Sequence, residues 1–323
     1  MKKENKSIII SAIFTIVILL ILFHYINPND ILIAFKTMKF KFFLLGFLFH
    51  LSAYIFRSII LYLYLKKYKI NFAHLLSVHF IHNLYSHVVP ASLGELSFPI
   101  LLKKRISISK SISVLIVLRI LTSMITIFLF VFSLIVLFSY RDILKINLSK
   151  TNVFLYIIII IVLFISIFRQ HIFNKLKKVK IFRNLISKFI NVTKIIRDEI
   201  VKLKEPKFLI ENISFALLSN MSIILFYFII FHNLGIDLNF YQIIFVSSIG
   251  LAFLILPIKS IGGFGTTEGS LALGLVLVGI NKQLAIQTGF VVHIIALMNV
   301  FLLFSIGILM RFLFSEKNVQ ALN

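Results

Sequence analysis

The sequence lacks cysteine altogether and has few acidic residues, with 11 Asp and Glu against 34 Lys and Arg in 323 residues. The absence of cysteine excludes disulfides, thiol nucleophiles, and zinc or iron–sulfur sites built on thiolates. The formal net charge of +23 would suggest a nucleic-acid partner if the chain were soluble. The basic residues lie mostly in loops beside apolar segments, however, so we expect membrane topology and anionic lipid to account for them, and no nucleic acid.

What the sequence has in excess is apolar residues, which make up 60% of the chain. Soluble domains contain about 45–50%, so this composition predicts an all-α, polytopic membrane protein. Two apolar stretches, 71–102 and 239–280, are interrupted by polar breaks that contain glycine. The other long apolar runs predict six full transmembrane helices, at about 7–25, 42–65, 111–140, 151–168, 208–232 and 284–314.

The distribution of lysine and arginine between the loops predicts the orientation of the chain. Basic clusters place the N-terminus, the end of the second helix, residues 103–110 and the C-terminus on the cytoplasmic side of the plasma membrane. The segment 169–207 has 12 Lys and Arg against three acids and is predicted to lie there too. Its mixture of apolar and basic residues indicates an interfacial amphipathic segment that attracts anionic lipid, or simply a cytoplasmic connector. Lys36, Lys39 and Lys41 would face outward, against the rule.

With these orientations, each interrupted stretch begins and ends on one side of the membrane, and the two enter from opposite sides. Each is therefore predicted to be a re-entrant helical pair. The whole chain, 1–323, forms a single membrane domain in this interpretation. It divides into a first helix and loop, a first repeat, a connector and a second repeat of inverted orientation, at 1–40, 41–140, 141–207 and 208–314. Inverted repeats with interrupted helices are typical of secondary transporters, whose binding sites lie at the interruptions.

Both breaks carry a glutamate, Glu95 in the first and Glu268 in the second. A carboxylate at membrane depth is costly and indicates function. The two side chains would face a polar cavity, converge near the middle of the membrane, and bind protons, cations or a cationic head group. Alternatively, each carboxylate caps the helix that restarts after its break by accepting backbone N–H bonds. Both roles can hold at once.

Glycines and basic residues accompany the two glutamates. The glycines of the breaks are Gly94, Gly262, Gly263, Gly265 and Gly269. They permit the bends, and N–H groups at the restarted helices could bind a lipid phosphate. Arg57, Arg119 and Lys259 would hold such a phosphate, or the two arginines would extend along their helices to the membrane interface. An Arg–Glu pair between the two repeats is the expected resting arrangement.

Histidines cluster before the first break, at positions 74, 79, 82 and 87. They do not have the His-Glu-x-x-His spacing of a zinc site, and we interpret them as polar residues on the cavity side of the re-entrant helix. No nucleophile–base–acid set is evident. We therefore predict no catalytic residue, no metal and no cofactor.

The two breaks resemble the signatures of a known family. The first reads Val89-Pro90-Ala91-Ser92-Leu93-Gly94-Glu95-Leu96, with Leu101-Leu102-Lys103-Lys104-Arg105 after it, and the second runs from Pro257 through Gly262-Gly263-Phe264-Gly265 to Glu268-Gly269. They look like those of the lysylphosphatidylglycerol synthase transmembrane, or flippase-like, family. The similarity covers nearly the whole chain and includes arginine at positions 57 and 119. The chain departs from the family at Leu118 and Thr122, where the family often has glutamate and aspartate.

The resemblance implies a membrane module that translocates lipids, above all aminoacylated phosphatidylglycerol. The soluble aminoacyl-transferase domain of the bifunctional members is not expected, since the chain stops at Asn323. A flippase for a phospholipid or a lipid-linked head group is thus favoured over an enzyme. The alternative is a membrane glycosyltransferase that uses a polyprenyl-phosphate-linked sugar, or its accessory subunit, but the scarcity of acids disfavours the metal–diphosphate site it would need. Expected partners are membrane lipids with anionic or lipid-linked head groups; a homo-oligomer or a partner enzyme stays open.

Overall fold

The computed structural model describes residues 36, 38–89, 93–139, 195–255 and 261–313. Within these ranges the chain is almost entirely helical and contains no strand. The α-helices are α1 (Phe40–Leu65), α2 (Phe72–Val88), α3 (Ser97–Leu102), α4 (Ile108–Ser139), α5 (Pro206–Asn233), α6 (Phe240–Ile255), α7 (Thr266–Leu277) and α8 (Lys282–Leu313).

Four of these helices, α1, α4, α5 and α8, are long and apolar enough to cross a membrane. Their outer faces expose large apolar side chains such as Met124 at 61% and Phe128 at 63%, as lipid contact requires. The prediction of an all-α, polytopic membrane protein is confirmed. The helices predicted at 7–25 and 151–168, and most of the basic segment 169–207, lie outside the described residues.

Short polar signals start the helices at the places where the apolar runs begin. The Asn71 side chain accepts a hydrogen bond from the backbone N–H of Ala73 at 2.8 Å and caps α2. Asn239 and Gln242 exchange two bonds of 2.9 Å, a reciprocal arrangement that caps α6. Pro206 occupies the first turn of α5, where its missing N–H leaves no helical bond unmade.

Each interrupted stretch forms two short helices that pack against each other. In the first, α2 is followed by a 3₁₀ turn, Leu93–Leu96, and by the six residues of α3. In the second, α6 is followed by the 3₁₀ turn Ile261–Gly263 and then by α7, which has 12 residues. The helix that follows the turn is therefore shorter in the first stretch than in the second.

The main packing contacts between α1–α4, which we call the first unit, and α5–α8, the second unit, are symmetric. α1 packs along α5, the two equivalent helices of the two units. α2 packs against α8 of the other unit, and α6 packs against α4 in the same way. This is the pattern expected of two units related by a pseudo-twofold axis, and it interlocks them through their interrupted pairs.

Candidate functional site

A polar cavity of about 270 Å³ opens between α1, α2, α4 and α5. Two arginines and three histidines line it, together with hydroxyl and amide side chains. The arginines and histidines of the lining are Arg57, His79, His82, His87 and Arg119. Of the four histidines of α2 predicted to face a cavity, His79, His82 and His87 line it, whereas His74 is not among the described residues that do. A polar, basic cavity among lipid-facing helices is suited to an anionic group.

Arg57 is held in place from two sides in the middle of α1. Its Nε donates to the hydroxyl of Ser219 on α5 at 2.9 Å. Its guanidinium lies 5.2 Å from the centre of the Tyr54 ring, one turn earlier on the same helix. Because these contacts use Nε and one face of the group, the terminal nitrogens are oriented by the protein before any ligand arrives.

Arg119 on α4 forms an ion pair with Glu95 of the first break. The Glu95 carboxylate also lies 3.6 Å from Nε2 of His82. The carboxylate is largely buried, with 17% of its side chain exposed, whereas the Arg119 side chain is 46% exposed. The arginine and glutamate that pair therefore both belong to the first unit, whereas the sequence led us to expect a pair between the repeats.

Gly94 explains how Glu95 reaches this position. A Cβ atom at Gly94 would lie 1.9 Å from the carbonyl oxygen of Tyr85 on α2, so only glycine lets the turn pack so closely. The Ser97 hydroxyl then donates to the Gly94 carbonyl at 2.6 Å and lies 2.8 Å from Nδ1 of His82. These contacts hold the turn against α2 and direct the Glu95 side chain toward α4.

Several polar residues of the cavity wall were missed by the sequence reasoning. The Tyr54 hydroxyl donates to the Asn83 side chain at 2.5 Å, joining α1 to α2. Thr126 donates to Asn220 at 3.0 Å, joining α4 to α5. The spacing of Tyr54, three residues before Arg57, is a signal that could have been used, because that spacing places both on one helix face.

The described part of the second break begins with a turn built on glycine, residues 261–265. Gly262, Gly263 and Gly265 all have positive φ, at 65°, 75° and 87°, which side-chain-bearing residues rarely adopt. The Glu268 side chain is fully buried, and one of its oxygens accepts from the backbone N–H of Gly265 at 2.7 Å. The capping role predicted for this carboxylate is therefore present in the structure.

The other oxygen of Glu268 lies 2.7 Å from Nδ1 of His293 on α8. The imidazole is 4% exposed and packs against the Phe264 ring, with 4.9 Å between ring centres. A Cβ at Gly263 would lie 3.4 Å from His293 Nε2, so the glycine turn faces the far edge of the imidazole. The pair fastens the second break to the last helix.

The predicted site residues thus fall into two groups. Arg57 and Arg119 line the cavity, and Glu95 is paired with Arg119 beside it, whereas Glu268 is buried beside α8. Neither glutamate is among the described residues that line the cavity. Gly269 is exposed on α7, with open space where a Cβ would stand. Lys259 lies outside the described residues. In the described part of the chain, no group of three or more His, Asp and Glu could hold a metal ion.

A second charged cluster lies between the start of α4 and the residues that precede α5. Glu199, from the helical residues 195–201, is almost completely buried and forms ion pairs with Lys110 of α4 and with Lys202. Burial acts to raise the pKa of Glu199, but its hydrogen bonds and the positive charges of the two lysines outweigh burial and hold the pKa below its ordinary value. The cluster ties the end of the basic connector to the start of α4.

Comparison with known proteins identifies one family. The model described as the lysylphosphatidylglycerol synthase TM region matches residues 8–303. No curated protein and no solved structure matches the chain.

Proposed function

This chain belongs to the lysylphosphatidylglycerol synthase TM family, and we propose that it translocates a phospholipid or a lipid-linked head group across the membrane. The observation that carries the proposal is the cavity, where Arg57 and Arg119 converge with three histidines among helices whose outer faces are apolar. Such a cavity gives a charged head group a polar path while the acyl chains stay in lipid.

The phosphate of the head group is the part that the arginines would bind. A guanidinium offers two parallel N–H donors that match two phosphate oxygens. Arg57 is already oriented by Ser219 and Tyr54. Arg119 is half exposed and shares its charge with Glu95, so a phosphate can compete with that carboxylate for the same donors.

The size of the cavity supports a head group as the cargo. Pockets that enclose a whole drug-sized ligand measure roughly 300–1,000 Å³, and this cavity measures about 270 Å³. It accommodates a phosphate with a small polar substituent but not two acyl chains. Hydroxyl, amine or amide groups on the substituent would meet Asn83, Ser86 and Thr122, which also line the cavity.

Transport by the purified protein in liposomes tests the proposal. Phosphatidylglycerol with a fluorescent acyl chain is placed in both leaflets, and a quencher that cannot cross the membrane reports how fast inner-leaflet lipid becomes accessible. We expect the protein to accelerate exchange, and Arg57→Gln to slow it by roughly 10–100-fold, because a charge-assisted hydrogen bond contributes about 1.5–3 kcal/mol.

The matched control is Lys104→Gln, which removes one positive charge from an exposed loop position outside the cavity. It should leave the exchange rate unchanged. Wild-type rates in the double variant Arg57→Gln/Arg119→Gln would refute the assignment of the cavity as the lipid path. Absence of exchange for phosphatidylglycerol, its lysyl ester and a polyprenyl-phosphate sugar alike would refute the proposed function.

A further inference from the structure

The two breaks carry equivalent pairs that differ in one chemical respect. α4 and α8 are equivalent helices of the two units, and each has 32 residues. Arg119 and His293 are both the twelfth residue of their helix. Each pairs with the glutamate of the break in its own unit, Arg119 with Glu95 and His293 with Glu268. The pseudo-twofold pattern of the fold therefore extends to its charged side chains.

The difference is that one cation is permanent and the other can be removed. An arginine stays protonated at any physiological pH, whereas an unperturbed histidine titrates near 6.5. The surroundings differ as well. The first pair borders the cavity, with Arg119 half exposed, whereas the second is enclosed, with side-chain exposures of 0% for Glu268 and 4% for His293.

We propose that the His293–Glu268 pair is a proton-binding site that controls whether the glycine turn 261–265 stays packed against α8. With His293 protonated, the pair is neutral overall and both oxygens of Glu268 have a donor, His293 Nδ1–H and the Gly265 N–H. Deprotonation moves the proton from Nε2 to a water molecule, the electron pair stays on Nε2, and Glu268 remains a carboxylate. The buried site then holds one uncompensated negative charge.

That charge favours release of the turn 261–265 from α8, because a buried carboxylate without a cation lacks hydration that release of the turn would restore. The turn is suited to such a movement. Three of its glycines have positive φ, and it is fastened to α8 through Glu268. Release would therefore separate the turn from the last helix, which also packs against α2 of the cavity wall.

Few other charged groups face the pair from the elements around it. α7 itself has no other ionisable side chain, and the described side chains of α6 include only the phenol of Tyr241. α8 carries Lys282 and Arg311 at its two ends, far along the helix from His293. α2, which packs on the turn Ile261–Gly263, carries the cavity histidines. Among the described residues, Glu268 forms its ion pair with His293.

The use of this proton in lipid translocation rests on the proposed function, but proton control of the break does not. The natural absence of cysteine allows a direct test of the break alone. Ser270→Cys places a thiol at a position that is 1% exposed, two residues after Glu268. Gly269→Cys places a thiol at an exposed position of the same helix, α7, where a Cβ meets no atom within 4 Å, and serves as the control.

Purified single-cysteine proteins are labelled with a water-soluble maleimide between about pH 6 and pH 8, the range in which a histidine titrates. Dividing the Ser270→Cys rate by the Gly269→Cys rate removes the general rise of thiolate with pH. We expect this ratio to rise several-fold as the pH increases, and to become independent of pH in His293→Gln. Glu268→Gln keeps an acceptor for the Gly265 N–H and should also abolish the rise of the ratio with pH, because deprotonation of His293 then leaves no negative charge. It guards against a folding defect in the first variant.

A flat ratio in the parent protein, or the same rise in both variants, overturns the proton-binding site. Exchange of fluorescent phosphatidylglycerol, measured at the same pH values, separates this outcome from the proposed function. A pH-dependent ratio without lipid exchange supports the site and contradicts transport of that lipid. Lipid exchange with a flat ratio supports transport and contradicts the site.

Discussion

Removal of Arg119 should destabilise the protein more than removal of its partner Glu95. The Glu95 carboxylate has only 17% of its side chain exposed, whereas that of Arg119 is 46% exposed. Arg119→Gln leaves a mostly buried Glu95 carboxylate that still lies 3.6 Å from Nε2 of His82. Glu95→Gln instead leaves an arginine that is about half exposed at the cavity, so its charge is far less buried than that of the carboxylate.

The magnitude follows from the burial of each group. Loss of one partner from a fully buried pair costs about 3–5 kcal/mol, and an exposed pair contributes about 0–1 kcal/mol. With one partner mostly buried and the other half exposed, we expect a loss of about 1–3 kcal/mol for Arg119→Gln and of less than about 1 kcal/mol for Glu95→Gln. The double variant should be less destabilised than the sum of the two, because it leaves no unpaired charge.

Reversible unfolding in mixed micelles, followed by far-ultraviolet circular dichroism, measures all four members of this cycle. Lys104→Gln, at an exposed loop position, controls for the loss of one positive charge. Equal losses for the two single variants, or strictly additive effects, would refute the reasoning, because either result would mean that the pair does not shield a buried carboxylate.

Two further predictions concern the turn Leu93–Leu96 and the buried ion pairs of Glu199. Gly94→Ala places a Cβ 1.9 Å from the carbonyl oxygen of Tyr85, so it should lower stability by about 1–3 kcal/mol or more and slow lipid exchange. Gly269→Ala, where the Cβ meets open space, should leave stability unchanged or raise it. Equal thermal midpoints for the two variants would contradict this packing. Because the pKa of Glu199 is lowered in the folded state, its contribution to stability is present above its ordinary pKa of 4.5 and is lost as the pH falls through the lower folded value. Glu199→Gln should therefore be less stable than the parent at neutral pH, and the difference should shrink on acidification; a constant difference would exclude the ion pair with Lys110 as its cause.

The positions of the long helices could be predicted because they depend on hydropathy. The apolar runs gave α1, α4, α5 and α8 to within about three residues of their observed ends. The glycine-containing interruptions marked where α2 and α6 stop. These signals are local, and each acts through the cost of exposing backbone or charge to lipid.

The partners of the site residues could not be predicted, since they depend on how helices distant in sequence face each other. Nothing in the sequence near Glu95 indicates that Arg119 of the same unit will reach it. The equivalence of Arg119 and His293 was hidden because the two residues differ in type, and it became visible only when both helices were seen to begin at matching positions. Orientation in the membrane and the domain boundaries stay predictions.

The interlocked packing of the two units has a consequence for biosynthesis. α2 packs mainly against α8, which is made after α1–α7. The first unit therefore leaves the ribosome with a polar-faced helix whose main partner does not yet exist, and α2 reaches its native packing only after α8 is inserted. A chain divided within 141–194 should mature only when both fragments are present in the same membrane, as for two subunits that complement each other.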